Sequence, residues 1–126
     1  MPNRILKESI CLSDNIEALS PGAETLFYRL MVKCDDYGRY DGRAAVLRAS
    51  CFPLRLDRVS EEQVRDWLRE LIDNELVWLY QHEGRAYLQM TTWSKHQQTR
   101  AKRSKWPDPP ADASQSGDVK SSASNS

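Results

Sequence analysis

Three helical patterns followed by one hairpin pattern constrain the fold of this 126-residue chain more than any other feature. The first pattern begins at Ser20-Pro21, because serine is a favourable N-cap and proline suits the first helical position. Apolar side chains then recur every three or four residues, which predicts one buried helix face. This face consists of Ala23, Leu26, Phe27, Leu30, Met31 and Cys34. The helix is predicted to end over residues 35–38, and residues 13–19 ahead of it are predicted to form a short helical turn.

Two further helices are predicted on either side of a turn. Residues 40–42 are interpreted as a short connector, and residues 43–51 predict the second helix. Its inward residues are predicted to be Ala45, Val46, Ala49 and Cys51. Residues 52–57 then predict a turn with apolar anchors. The third helix begins with a capping box, since Ser60 at the N-cap is followed three residues later by Gln63. Its apolar stripe consists of Val64, Trp67, Leu68, Leu71 and Ile72.

Two β-prone runs, residues 76–82 and 85–91, flank Glu83-Gly84 and predict a hairpin. A two-residue loop would pair Leu79 with Leu88 and Val77 with Met90 on the core face. The opposite face would carry Trp78, Tyr80, His82, Arg85 and Tyr87. A slip of one residue would mix the two faces, which favours this register. We expect the outer aromatic side chains to be covered by the N-terminal arm or the segment around Trp93, or else to form a contact patch.

Three helices followed by a hairpin, within about 75 residues, is the order of a winged helix. The predicted fold class is therefore α+β, with a three-helix helix-turn-helix core and the β-hairpin as its wing. In such an arrangement the third helix is the element that usually enters the major groove of DNA.

The neutral total charge of the chain hides a basic block. Residues 1–92 carry 12 Lys/Arg and 15 Asp/Glu, whereas residues 93–107 carry five cations and no acid. Such blocks are candidate polyanion-binding segments. The Ser/Pro-rich sequence that follows has too little apolar surface to offset its ordering entropy. We therefore predict one domain over residues 1–106, with a basic segment at 93–106, and a disordered tail over residues 107–126.

Several stretches resemble a known family: "RILKESICLSDNIEALS", "LFYRLMVKCDDYGRYDG", "LRASCFPLR" and "YLQMTTWSKHQQTRAKRSKWP". They are similar to the N-terminal domain of phage and prophage replisome-organiser proteins, which are related to DnaD-like replication initiators. The resemblance covers about residues 3–107. It implies a winged-helix DNA-binding domain that acts in replication initiation, with a replicative helicase or helicase loader as a candidate partner.

The basic segment is the strongest candidate DNA contact, because cations that neutralise phosphates release counterions and give salt-sensitive affinity. Its cations are Lys95, Arg100, Lys102, Arg103 and Lys105. Trp93 and Trp106 flank them and are candidates for stacking on unpaired bases. Five more candidates follow from their place in the predicted fold: Arg55 and Arg58 before the third helix, Arg65 and Arg69 on it, and Arg85 at the wing tip. Arg39, Arg43 and Arg48 are weaker candidates of the same kind.

The third helix also carries acids that oppose groove contact, namely Glu61, Glu62, Asp66, Glu70 and Asp73. Intrahelical ion pairs, such as Glu61 with Arg65, are the alternative use of its charges. Two other functions therefore stay open. One is a protein-interaction module that binds a replication partner through the acidic helix and the aromatic hairpin face. The other is a winged-helix transcriptional regulator.

The sequence contains no nucleophile–base constellation and no Gly-rich phosphate loop, and its three cysteines and two histidines match no zinc spacing. We therefore expect a protein that is not an enzyme and needs no metal or cofactor. No apolar run approaches the roughly 18 residues of a membrane span, and the N-terminus has no apolar leader. We therefore expect a cytoplasmic location and no membrane partner, the resemblance implies a bacterial host cell, and the oligomeric state stays open.

Overall fold

The computed structural model describes residues 4–91 and 106–110. Within them the chain forms a mixed α+β unit with a 3₁₀ helix at Glu8–Leu12, four α-helices and an antiparallel three-stranded sheet. The helices are α1 (Asp14–Glu17), α2 (Pro21–Lys33), α3 (Ala44–Cys51) and α4 (Glu61–Asp73). The strands are β1 (Arg39–Asp41), β2 (Val77–His82) and β3 (Arg85–Met90). The three predicted helices are confirmed as α2, α3 and α4, the helical turn as α1, and the hairpin as β2 and β3.

The core lies where α4 packs against α2 and α3 above one face of the sheet. The predicted faces of α2 and α4 are confirmed, since Ala23, Leu26, Leu30, Val64 and Leu71 have no exposed surface. Each fully buried leucine contributes about 1.5–3 kcal/mol to stability.

The inward face of α3 differs from the prediction. Leu47 and Cys51 are buried, whereas Ala45 and Ala49 are exposed and Val46 is half-buried. Alanine fits either side of a helix, so the larger leucine, which buries more apolar area, decides the orientation.

The turn between α3 and α4 is held by one apolar anchor and by arginine side chains. Phe52 is buried as expected, but Leu54 is 90% exposed and Leu56 is 44% exposed. Arg48 donates to the carbonyl oxygens of Leu56 and Val59, both at 2.6 Å. Arg29 of α2 donates to the carbonyl oxygen of Cys51 at 2.9 Å. These charge-assisted hydrogen bonds satisfy the backbone carbonyl groups of the turn and hold it in place, so the two leucines need not be buried.

The sheet has the strand order β1-β3-β2. The hairpin register is confirmed, with Leu79 opposite Leu88 and Val77 opposite Met90. The predicted connector at residues 40–42 is wrong, because Arg39–Asp41 pairs with β3 as a third strand. A three-residue polar strand has no periodicity of its own, and only the free edge of β3 makes it a strand.

Gly42 joins β1 to α3 at a point where two backbones nearly touch. Its N–H donates to the carbonyl oxygen of Ala86 at 3.0 Å. A Cβ at this position would lie 2.8 Å from Leu79 Cδ1 and 3.0 Å from the backbone of Tyr87. Only glycine fits here without moving β3.

Gly42→Ala is therefore expected to lower the free energy of unfolding by about 1–3 kcal/mol through this overlap. Urea denaturation followed by circular dichroism measures the change. Gly84→Ala is the control, because Gly84 has a φ of +80° but open space around it. Its loss should be about 1 kcal/mol, from the left-handed backbone alone. An alanine that costs less at position 42 than at position 84 would contradict the close approach.

Candidate nucleic-acid interface

The basic segment borders two anchored points of the domain. Lys95, Arg100, Lys102, Arg103 and Lys105, together with Trp93, lie outside the described residues. Ahead of the segment, the Thr91 N–H and hydroxyl donate to the carbonyl oxygens of Leu76 and Glu75 at 3.1 and 2.8 Å. Trp106 follows the segment and is described.

Residues 106–108, here called the strap, lie against the sheet. The Trp106 ring packs edge-on against Tyr40, with 5.4 Å between centroids, and at a tilt against Tyr87, with 6.0 Å between centroids. The Tyr80 hydroxyl donates to the carbonyl oxygen of Pro107 at 2.6 Å. Arg39 forms an ion pair with Asp108 at 2.6 Å. Pro107 and Asp108, which the prediction assigned to the tail, therefore contact the domain.

The strap also covers two aromatic side chains on the outer face of the hairpin. Tyr80 and Tyr87 are only 5% and 9% exposed. The sequence predicted that the N-terminal arm or the segment around Trp93 would cover them. Within the described residues, the strap packs against them instead. Burial raises the pKa of Tyr80 to about 12, since the phenolate would lose hydration there. Trp106, a candidate for base stacking, already packs on the domain's own rings.

Two arginines in the turn after α3 are available to a polyanion. The Arg58 residue is exposed and Arg55 is half-exposed. Within residues 4–91 and 106–110, neither guanidinium has a hydrogen-bond or ion-pair partner. Both lie at the turn that precedes α4, as predicted. The third turn arginine, Arg48, is instead committed to backbone carbonyls.

The α4 helix divides its charges between internal pairs and solvent. Arg65 donates to Glu61 Oε2 at 2.8 Å, one turn away, so this residue makes the intrahelical pair rather than an open contact. Arg69 is exposed, and its guanidinium forms no hydrogen bond or ion pair in the described part of the chain. The outward side also carries exposed Glu62, Asp66 and Asp73.

Glu70 is not a free surface acid. Its two carboxylate oxygens accept from the Ser20 N–H at 2.8 Å and the Ser20 hydroxyl at 2.7 Å. Ser20 is the N-cap of α2, and its hydroxyl oxygen accepts in turn from the Ala23 N–H. Glu70 therefore ties α4 to the start of α2, where a negative charge also favours the helix dipole.

The wing tip carries Arg85, which is exposed and faces His82 across the hairpin. His82 Nε2 lies 3.6 Å from Glu83. Arg85 makes no ion pair within the described residues, and its charge contributes to lowering the pKa of Asp41 on β1. The charge of Arg85 at the wing tip therefore acts on Asp41, just ahead of α3.

Asp41 is a buried carboxylate that sequence reasoning left unassigned. Its Oδ1 accepts from the backbone N–H of Arg43 at 2.9 Å and from Arg43 Nε at 3.0 Å. Its Oδ2 accepts from Arg43 Nη2 at 2.7 Å. Burial alone would raise the pKa of Asp41, but the hydrogen bonds and charge of Arg43 outweigh it and lower the pKa below its ordinary value. The Asp-Gly-Arg sequence at residues 41–43, next to a helix start, was the available indication.

Several other arginines serve the fold. Arg4 donates to the carbonyl oxygens of Met31 and Cys34 and pairs with Asp36, which caps the end of α2. Arg39 donates to the buried Gln89 side chain at 2.8 Å. Arg39, a weaker candidate for DNA contact from the sequence, is therefore bound within the fold.

The described residues contain no cluster of metal ligands, and two of their three thiols are buried. No group of three or more His, Cys, Asp or Glu lies close enough there to hold a metal ion. Cys34 and Cys51 are buried, and burial raises the pKa of both thiols. Within the same residues, no helix is long and apolar enough to cross a membrane.

Comparisons of the chain with protein-family models, curated proteins and solved structures find no match.

Tyr80→Phe tests the strap. Loss of the hydrogen bond to Pro107 should lower the free energy of unfolding by about 1 kcal/mol, because the phenol is buried and its partner carbonyl is left unsatisfied. Asp108→Asn is the matched control, and it should cost less because Asp108 is 86% exposed. Thermal or urea unfolding measures both. Equal stability of Tyr80→Phe and the wild type would show that the strap is not held in solution.

Asp41→Asn tests the carboxylate beside Arg43. Folding lowers the pKa of Asp41 below its value in the unfolded chain, which is about 3.9. The ionised carboxylate therefore stabilises the fold at a pH above that value, and this stability is lost as the pH falls through the folded pKa. The wild type should therefore lose stability more steeply than Asp41→Asn between about pH 5 and pH 3. Urea unfolding across this range measures the two slopes, and parallel slopes would contradict the ion pair.

Proposed function

We propose that this protein is a winged-helix DNA-binding protein of a phage or prophage replication-initiation module. The observation that carries the proposal is the element order α2, β1, α3, α4, β2, β3, with β1 beside β3 in the sheet. In a winged helix, α3 and α4 are the helix-turn-helix pair and β2–β3 is the wing. The role in replication rests on the resemblance of "KCDDYGR" and "WSKHQQTRAKRSK" to replisome organisers.

Phosphate contact supplies most of the affinity in this proposal. The α4 helix has five acids and two arginines, so it is a poor groove-reading helix beside a polyanion. The basic segment has five cations and no acid. Exposed Arg58, Arg69 and Arg85 add cations around the turn, α4 and the wing. The protein thus binds DNA chiefly through its backbone, and Trp93 is the residue proposed to stack on unpaired bases.

The residues that border the basic segment on both sides are bound to the folded domain. Thr91 is bonded to the chain just after α4, and Trp106 lies on the outer sheet face. A segment whose two ends are held loses less entropy on binding than a free tail of the same composition. A replicative helicase or its loader is the proposed protein partner.

A protein-interaction module is the second candidate, and the surface of α4 favours it. Glu62, Asp66 and Asp73 are exposed, and Leu54 is almost fully exposed in the turn ahead of the helix. Acidic and apolar groups side by side suit a basic protein surface better than DNA. A winged-helix transcriptional regulator would differ from the first proposal only in its DNA target, and a sequence preference would indicate it.

Fluorescence anisotropy with a labelled duplex and a labelled single strand, across a salt series, tests the proposal. The key variant replaces the five cations of the basic segment by glutamine and keeps Trp106 and the strap. Five phosphate contacts contribute about −4 to −5 to the log–log salt slope on duplex DNA, and the variant should lose that part. The control replaces Lys7, Lys33 and Lys120 by glutamine, which removes charge outside the candidate residues and should leave the slope unchanged.

The outcomes separate the candidates. Unchanged binding by the five-cation variant would move the contact to Arg55, Arg58, Arg69 and Arg85. No binding by the wild type to either DNA at low salt would contradict the DNA-binding function and leave the protein-interaction module.

A further inference from the structure

The register of the sheet brings two arginines from distant parts of the sequence opposite each other. Asp41 pairs with Tyr87, and β1 and β3 are antiparallel. Two residues after Asp41 and two residues before Tyr87, the same register places Arg43 opposite Arg85. Two observations support this continuation beyond β1. The Gly42 N–H donates to the carbonyl oxygen of Ala86, and the backbone of Arg43 is extended, with φ −83° and ψ 133°. Arg85 itself pairs with His82 of β2.

The end of the sheet therefore carries a row of Arg43, Arg85 and His82, here called the corner row. Its side chains are accessible, since Arg43 is 50% and His82 48% exposed and Arg85 is an exposed residue. The ring of Tyr87 lies beside the row, 6.5 Å from that of His82. Like charges directly opposite each other on neighbouring strands are unfavourable unless an anion lies between them.

Asp41 offsets only one of the two arginines. Its carboxylate is 7% exposed, and both of its oxygens already accept from Arg43. The Arg85 guanidinium forms no hydrogen bond or ion pair with the described residues. Arg43, Arg85 and Asp41 together keep one net positive charge. A guanidinium has five N–H donors, and Asp41 uses only one edge of Arg43, which it thereby holds in place.

We propose that the corner row is a phosphate-binding site for one phosphodiester of a DNA backbone, held between Arg43 and Arg85. This proposal rests on the proposed DNA-binding function. It assigns Arg85, a candidate at the wing tip, a contact with the DNA backbone. It also assigns Asp41 as a positioning residue for Arg43.

Arg85→Ala is the cleaner test variant, because Arg43→Ala leaves the Asp41 carboxylate without its partner. Both variants, and the double variant, are checked for fold by circular dichroism and then titrated with a labelled duplex across a salt series. Each single variant should bind about tenfold more weakly through the loss of one charge-assisted contact, while the remaining arginine still neutralises the phosphate. The double variant should lower the salt slope by about 0.9, because one phosphate contact is then lost. Lys33→Ala, at the end of α2, is the charge-matched control and should leave both affinity and slope unchanged.

The outcomes distinguish this site from the general function. If the wild type binds DNA and Arg85→Ala behaves like Lys33→Ala, the corner site is wrong while the DNA-binding function stands. If the wild type binds neither duplex nor single strand, both proposals fail. Titration of the wild type with inorganic phosphate at constant ionic strength tests the source of the anion. Phosphate that binds in the wild type but not in Arg85→Ala, and that leaves the DNA affinity of the wild type unchanged, would make this a free-phosphate site and overturn the proposal.

Discussion

The pairing of β1 with β3 is the contact on which the surface features of this protein depend. It is short, with three residue pairs, and it continues only because Gly42 lets the chain approach β3 without a side chain in between. On one side of this contact Arg39 is placed to reach Gln89 and Asp108. On the other side Asp41 and Arg43 are placed next to the wing. A side chain at position 42 would disturb the strap and the corner row together.

The molecule uses its arginines in two ways that composition does not separate. Arg4, Arg29, Arg39 and Arg48 donate to carbonyl oxygens, to Gln89 or to acids, and so hold the ends of helices, a turn and the strap. Arg55, Arg58, Arg69 and Arg85 are arginines without such partners within the described residues. Planar guanidinium groups suit both tasks, because one edge can satisfy a carbonyl and the same fork can hold a phosphate. The second group is available to a polyanion, whereas the first is already bound within the fold.

The helices and the hairpin could be predicted because their apolar periodicity and caps are local. The capping box at Ser60 and Gln63 is present as predicted, and the hairpin register agrees residue by residue. The α3 face could not be predicted, because its alanines fit either side and only the packing against α4 selects Leu47. The exposed position of Leu54 likewise depends on the Arg48 bonds, which join residues eight and eleven positions apart.

The sequence by itself determined the order of elements, the buried faces of α2 and α4, and the concentration of positive charge in residues 93–107, since each follows from neighbouring residues. Tertiary structure decided which strand covers the free edge of β3, which acid binds the N-cap of α2, and which arginines bind groups of the fold. These depend on contacts between residues such as Ser20 and Glu70, or Arg39 and Gln89, that are 50 positions apart. No local pattern encodes such pairs, because the chain must fold before their side chains come within hydrogen-bond distance.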